Sequence, residues 1–406
     1  MSTVVLSLYN GANVPGGGGR FWAYMQFAQG LRRLGCQVYW LEQLRPSSDS
    51  AEEAQLCVSV RERMQRFGLD GTTLLYAADP RSVDGVRFLG CTESRARAVL
   101  RRADLLLNFH YAIDRRLLGW ARRTALVDLD PGLLQQWMAT GQLAVARHDR
   151  YFTTGETVGT PEARFPSCGL SWKHIRPPVC LDLWPVAYTP DAESFTTLSR
   201  WSSASWLKVK ENGHTTLLDN TKRAAFLEYV ELPRQVARPL ELALHLLDRD
   251  PAGQARRKRA EQDAADRAHL ESHGWRVRDS GEVAACPDSL RSYVQTSRGE
   301  FSCAKPSSVE FRNGWVSARS VCYLASGKPI VVQDTGPSSY LPNGEGIFRF
   351  SSLAQAAAAF AAIESDYRRH CDAARALAET HFDARRVLEA ALNGALGRAS
   401  SPNGDA

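Results

Sequence analysis

The sequence predicts an α/β protein of two Rossmann-like, doubly wound domains. Three observations carry this. The 406 residues exceed what one hydrophobic core usually organises. Short runs rich in β-branched residues and leucine alternate with longer stretches whose apolar residues recur at helical spacing, which is the order of a parallel sheet built from βαβ units. Several strand-like runs end directly in glycine or titratable residues, and that end of an open α/β sheet is where ligands bind.

Composition bounds the rest. Hydrophobic residues at 44% and charged residues at 23% are ordinary for a globular protein and argue against a mainly disordered chain. No apolar run approaches the roughly 20 residues of a membrane span. The opening MSTVVLSLYNG has no basic leader or small-residue cleavage site and reads as a first strand. Nine cysteines, at 36, 57, 91, 168, 180, 286, 303, 322 and 371, are scattered without a CxxC pair. That favours reduced thiols over a disulfide scaffold or zinc site, so a cytoplasmic location is expected. The net charge of +6 is mild. Arginines at 95, 97, 101, 102, 115, 116, 122 and 123 bunch, but on successive helices they read as a solvated face rather than a nucleic-acid patch.

In the first half, residues 3–8 suit a buried strand, and a loop containing Gly16, Gly17, Gly18 and Gly19 follows. Residues 21–34 have helical periodicity, Gly35 closes them, and residues 37–41 form the next strand, ending at Glu42. The glycine loop allows close approach to a ligand, although it has neither the GxGxxG nor the Walker spacing. A helix over 51–67, a strand over 73–76 and a helix over 92–102 come next. A strand over 104–109 then delivers His110 and Tyr111, and one over 124–128 delivers Asp130, Pro131 and Gly132. His110 and Asp130 are the candidate catalytic bases, the alternatives being a structural histidine and a turn aspartate. Residues 151–154 read as the last strand of the first domain. The extended, Pro-Pro-containing stretch 168–179 leads to a boundary near 180–192, so the domains are placed at 1–185 and 186–380, with a terminal helix and frayed tail over 381–406.

In the second half, a strand over 195–198 precedes a loop with Arg200, Trp201, Ser202 and Ser203. A helix over 222–229, a strand over 239–245, a charged helix over 251–273, a strand over 275–277 and a helix over 287–296 continue the alternation. The most informative stretch is SRGEFSCAKPSSVEFRNGWVSARSVCYLASGKPIVVQDTG, residues 297–336. Its strand, 300–304, is followed by a polar loop carrying Lys305, Asn313 and Gly314. A helix starting near Trp315 or Ser317 stops at Gly327 and Pro329, and the strand 330–332 runs into Gln333, Asp334, Thr335 and Gly336. A helix beginning at Ser317 offers unpaired N–H groups and a positive dipole end, with Ser317, Arg319 and Ser320 close by, and would seat a diphosphate. The plainer reading makes Ser317 a cap and Arg319 a solvated side chain. A strand over 347–350 and helices over 353–365, 367–380 and 382–396 complete the chain.

The run from Ala325 through Gly327, Pro329 and Val332, followed by Gln333-Asp334-Thr335-Gly336, resembles the nucleotide-binding half of GT-B glycosyltransferases. More narrowly, the chain is similar to a group of bacterial glycosyltransferases that share the SRGEF, RSxCYLASG and VVQDTG words. The resemblance is weak in the first half and more specific from about residue 195. It implies two domains facing across a cleft, with the Gly16–Gly19 loop, His110 and Asp130 on the acceptor side. It also implies a nucleotide-diphosphate sugar, UDP-linked or other, as donor substrate, held by Arg200, Lys305, Asn313, Ser317, Arg319, Ser320, Asp334, Thr335 and Gly336. One departure matters: many retaining members place two glutamates, with seven residues between them, ahead of the helix glycine, and Gly314 and Cys322 hold those places here.

The function expected is therefore sugar transfer to an acceptor, with neither cofactor nor metal required. Three alternatives stand beside it: a nucleotide-sugar 2-epimerase, a catalytically inert sugar-nucleotide or glycan-binding module, and a DNA-base glycosyltransferase.

Overall fold

The structure is a computed structural model that describes residues 1–406 other than 10, 12–17, 45–48, 79–84, 202–205, 212–213, 247–253 and 399–406. The chain forms two compact units. Met1–Gly159, Pro166–Cys180 and Phe382–Ala406 make the first, and Thr160–Phe165 with Leu181–His381 the second.

The first unit is built on strands β1 (Thr3–Tyr9), β2 (Gln37–Leu44), β3 (Thr73–Ala78), β4 (Val86–Leu89), β5 (Leu105–Asn108), β6 (Thr124–Asp128), β7 (Arg150–Thr153) and β8 (Trp172–His174). Between them lie helices α1 (Gly18–Arg33), α2 (Ser50–Gln65), α3 (Glu93–Arg102), α4 (Arg115–Trp120) and α5 (Leu133–Ala139). One sheet results, in the order β4-β3-β2-β1-β5-β6-β7-β8, parallel throughout except for the β3–β4 pair. Val4, Val5, Leu6 and Leu8 of β1 are all fully buried. That is why the strand reads as a continuous apolar run: a parallel sheet is covered on both faces. The sheet reverses direction of growth at β1, which pairs with β2 on one side and β5 on the other, Ser7 opposite Asn108. β7 is not the last strand, as the sequence suggested. β8 adds beyond it from within the extended 168–179 stretch, with Trp172 opposite Tyr151.

The second unit contains β9 (Phe195–Arg200), an antiparallel hairpin of β10 (Trp206–Glu211) and β11 (His214–Asp219), then β12 (Leu240–His245), β13 (Arg276–Asp279), β14 (Gly299–Ser302), β15 (Ile330–Gln333) and β16 (Ile347–Phe350). The hairpin stands apart from the main sheet, whose order is β13-β12-β9-β14-β15-β16, all parallel. Counted within the unit, its main-sheet strands follow the Rossmann order 3-2-1-4-5-6, with the switch point between β9 and β14. Helices α6 (Lys222–Leu227), α7 (Gln254–Ser272), α8 (Ser280–Val283), α9 (Pro287–Thr296), α10 (Pro306–Glu310), α11 (Ala318–Ala325), α12 (Leu353–Ser365) and α13 (Tyr367–Leu377) complete it. Aromatic packing forms its core. Phe301 stacks on Phe350 with centroids 5.4 Å apart, and Phe195 meets Phe360 edge-on at 4.7 Å.

The last helix, α14 (Ala384–Leu396), belongs to the first unit. The Val179 N–H donates to the Phe382 carbonyl at 2.8 Å and the Ala384 N–H to the Val179 carbonyl at 2.9 Å, which fastens the returning chain. α14 lies so close to α1 that a Cβ at Gly30 would come within 2.5 Å of Leu388 Cδ1.

Candidate functional site

The candidate site residues gather at the two switch points. In the first unit, Tyr9 ends β1, and Phe109, His110 and Tyr111 follow β5. Asn108, fully buried, clamps the backbone there: its Oδ1 accepts the His110 N–H and its Nδ2 donates to the His110 carbonyl, both at 3.0 Å. The His110 ring stacks on Tyr9, centroids 5.0 Å apart, and its buried Nδ1 has no hydrogen-bond partner. Burial pushes the imidazole down to about 4, so it is neutral at physiological pH.

The loop after β6 is fixed by Asp128. Its Oδ1 accepts from the Tyr111 hydroxyl at 3.2 Å and the Asp130 N–H at 2.9 Å, and its Oδ2 accepts from Gln135 Nε2 and Thr153 Oγ1, each at 2.9 Å. Burial pushes this carboxyl up to about 6 against the pull of those donors. Gln135 in turn accepts the N–H of Gly132, whose φ of 81° turns the chain into α5. The result presents Asp130 beside His110 in a pocket of about 970 Å³, also lined by Tyr9, Tyr24, Gln43 and Trp137.

In the second unit, cations gather at the β9/β14 switch point. Arg319, the second residue of α11, directs its guanidinium to the sheet. Nε donates to Glu300 Oε1 at 2.8 Å, Nη1 to the Leu198 carbonyl at 2.5 Å and Nη2 to Ser302 Oγ at 2.8 Å. Glu300 is fully buried. Lys222, at the start of α6, donates to the Cys303 carbonyl. Burial, with the positive charges of Arg319 and Lys305 nearby, pushes its ammonium down to about 7. Arg319 and Lys305 thus lie close enough to Lys222 to add to the effect of burial, a basic cluster of the kind that suits an anionic ligand.

The other residues singled out in the sequence are placed as follows. Ser317 is the N-cap of α11, its Oγ accepting the Arg319 N–H at 3.2 Å. Ser320 and Asn313 are buried, and Asn313 Oδ1 accepts the Trp315 N–H at 3.1 Å. Thr335 Oγ1 donates to the Trp315 carbonyl at 2.8 Å, and the Gly314 N–H donates to the Thr335 carbonyl at 2.9 Å. Asp334 accepts the Gly336 N–H and lies 3.6 Å from Arg349. Gly336, with φ of 119°, passes so close to Arg312 that a Cβ would meet its carbonyl oxygen at 2.6 Å. Asp334, Thr335 and Gly336 therefore brace the loop ahead of α11. Arg200 ends β9 and is exposed, and Lys305 is the half-buried N-cap of α10.

Of the glycine loop, Gly16 and Gly17 lie outside the described residues, while Gly18 and Gly19 are the first residues of α1. Glu42 is fully buried and accepts from Trp40 Nε1 at 2.7 Å. Sequence reasoning missed Lys222, Asp128 and the aromatic lining from Tyr9, Tyr24 and Trp137. Tyr9 could have been found, since it ends the first strand on the ligand-binding edge. Lys222 sits 80 or more residues from the loop it joins. Among the described residues no group of three or more His, Cys, Asp or Glu side chains is placed to hold a metal ion, and no helix is long and apolar enough to cross a membrane.

Two doubly wound units with these switch points are the GT-B fold. Among solved structures the chain is similar to an α-glucosyltransferase in complex with UDP and a mismatch-containing DNA, with a TM-score of 0.60, 9% identity, and coverage of 98% of this chain and 99% of that one. It is also similar to HepE of Anabaena in complex with UDP and glucose, at TM-score 0.54, 12% identity and 96% and 98% coverage. Sucrose-phosphate synthase of Thermosynechococcus elongatus matches at TM-score 0.54, 13% identity and 97% and 98% coverage. No family model matches the sequence, and no curated protein matches it.

Proposed function

We propose that the protein is a glycosyltransferase that moves a sugar from a nucleotide-diphosphate sugar, with UDP the nucleotide to try first, to an acceptor held by the first unit. The observation that carries this is the pairing of unlike switch points: a cationic one at Lys222, Arg319 and Lys305, and a polar, aromatic pocket with His110 and Asp130. In the reaction an acceptor hydroxyl attacks the anomeric carbon, the bond from that carbon to the diphosphate oxygen breaks, and the nucleoside diphosphate leaves with the electron pair. The hydroxyl proton passes to Asp130 or to the neutral His110 imidazole. Lys222, Arg319, Lys305 and the α11 N–H groups stabilise the leaving diphosphate without a metal. UDP and UDP-glucose complexes of similarly folded proteins support the choice of donor class.

Incubation with a panel of nucleotide sugars, following nucleotide release with and without EDTA, tests the reading. Release that depends on an added acceptor supports it, and turnover of donor alone into an isomeric sugar would point to epimerisation. Failure to bind any nucleotide or nucleotide sugar sinks it.

A further inference from the structure

The pocket at the β1/β5 switch point is larger than presentation of one hydroxyl requires. Its volume of about 970 Å³ lies at the upper end of the range for small-molecule sites. What it holds follows from how its lining alternates. Tyr9, Tyr24, Tyr111 and Trp137 each contribute an apolar ring that carries a polar tip. Between them stand the amides of Gln43 and Gln142 and the carboxylate of Asp130. A planar hydrophobe has little use for three such polar groups, which would lose water without gaining partners. A polyanion needs a field of cations. Among the described lining residues one arginine, Arg20, stands against one carboxylate, Asp130.

A pyranose ring matches the alternation: its C–H faces lie on aromatic rings while its hydroxyls exchange hydrogen bonds with amides and a carboxylate. Tyr9 and His110 stack face to face, 15° from parallel, and both line the pocket, as does Trp137 on α5, a second aromatic surface. Resting on the transferase reading above, we infer that the acceptor is itself a saccharide, seated against the Tyr9–His110 stack and Trp137, its hydroxyls read by Gln43, Gln142 and Asp130.

The full chain, fluorescently labelled, is applied without nucleotide to an array of immobilised glycans, with phenols and single- and double-stranded oligonucleotides as comparison ligands. The best free oligosaccharide is then titrated calorimetrically. Saccharide binding is expected, weakened about ten-fold or more by Trp137→Ala and by Gln43→Ala and less by Trp137→Phe, which keeps a ring. UDP affinity measured on the same variants should stay within about two-fold, and their melting curves should match the parent. The inference is overturned by binding of phenols or oligonucleotides but no glycan, by no binding to the array, or by saccharide affinity unchanged in both alanine variants. UDP binding without glycan binding removes this inference and leaves the transferase reading standing. Loss of UDP binding in the parent chain removes both.

Discussion

If the donor diphosphate sits at the β9/β14 switch point as proposed, Lys222 should make its binding depend on pH above 7. Its ammonium is pushed down to about 7 by burial and by Arg319 and Lys305, and its hydrogen bond to the Cys303 carbonyl holds it at the cationic switch point. A diphosphate binds the protonated form better, so affinity should fall as pH rises above 7. With that value, the protonated fraction drops about 24-fold between pH 7.5 and 9.0, equivalent to about 2 kcal/mol of binding free energy. The phosphate's own last ionisation, near pH 6, is complete throughout this window. The assay is calorimetric titration of UDP at several pH values in buffers of different ionisation enthalpy, which also counts the proton taken up on binding. Lys222→Met should bind UDP more weakly at pH 7.5 and show a flat profile to pH 9. Parent affinity independent of pH from 7.5 to 9, or an undiminished slope in Lys222→Met, would refute the placement of this lysine at the diphosphate.

Three other substitutions probe the supports of the two sites. Glu300→Ala leaves Arg319 half-buried without its carboxylate and should cost about 3 kcal/mol in chemical denaturation, the low end for a broken buried pair because Leu198 and Ser302 still accept from the guanidinium. Gly336→Ala forces a Cβ to within 2.6 Å of the Arg312 carbonyl oxygen at a φ of 119°, and should destabilise the fold by about 1–3 kcal/mol or more while weakening UDP binding, read by denaturation and titration together. Asp128 has a folded-state pKa raised from 3.8 to about 6, so its neutral form favours the fold. That contribution is full below about pH 4 and is lost as pH rises through 6, a fall of about 3 kcal/mol. Asp128→Asn should flatten the stability profile between pH 4 and 6, and an unchanged slope would show that the carboxyl is already ionised there.

The alternation of elements was legible because buried parallel strands leave an unmixed signal. β1, β5, β6 and β16 are short apolar runs bounded by turn residues, and their ends lay within one or two residues of the sequence expectation. The hairpin β10–β11 was not anticipated, although Asn212-Gly213 between two alternating runs is a recognised hairpin signal. β8 escaped notice because Pro177-Pro178 just beyond it directed attention to rigidity rather than pairing. Within the sites, residues next to strand ends were readable and residues delivered from far along the chain were not. His110 and Asp130 lie two residues beyond their strands, whereas Lys222 and Cys303 are 81 positions apart in the chain. Arg319 was noticed for its charge, but its commitment to Glu300 depends on helix and strand being stacked, which no local pattern encodes.

The return of α14 to the first unit has a consequence for synthesis. Residues 181–381 must all be made before the helix that covers α1 exists, so the first unit waits, its α1 face uncovered, while the second unit emerges complete. At ordinary translation rates that interval is about 10–40 s, long enough for the later-made unit to fold first.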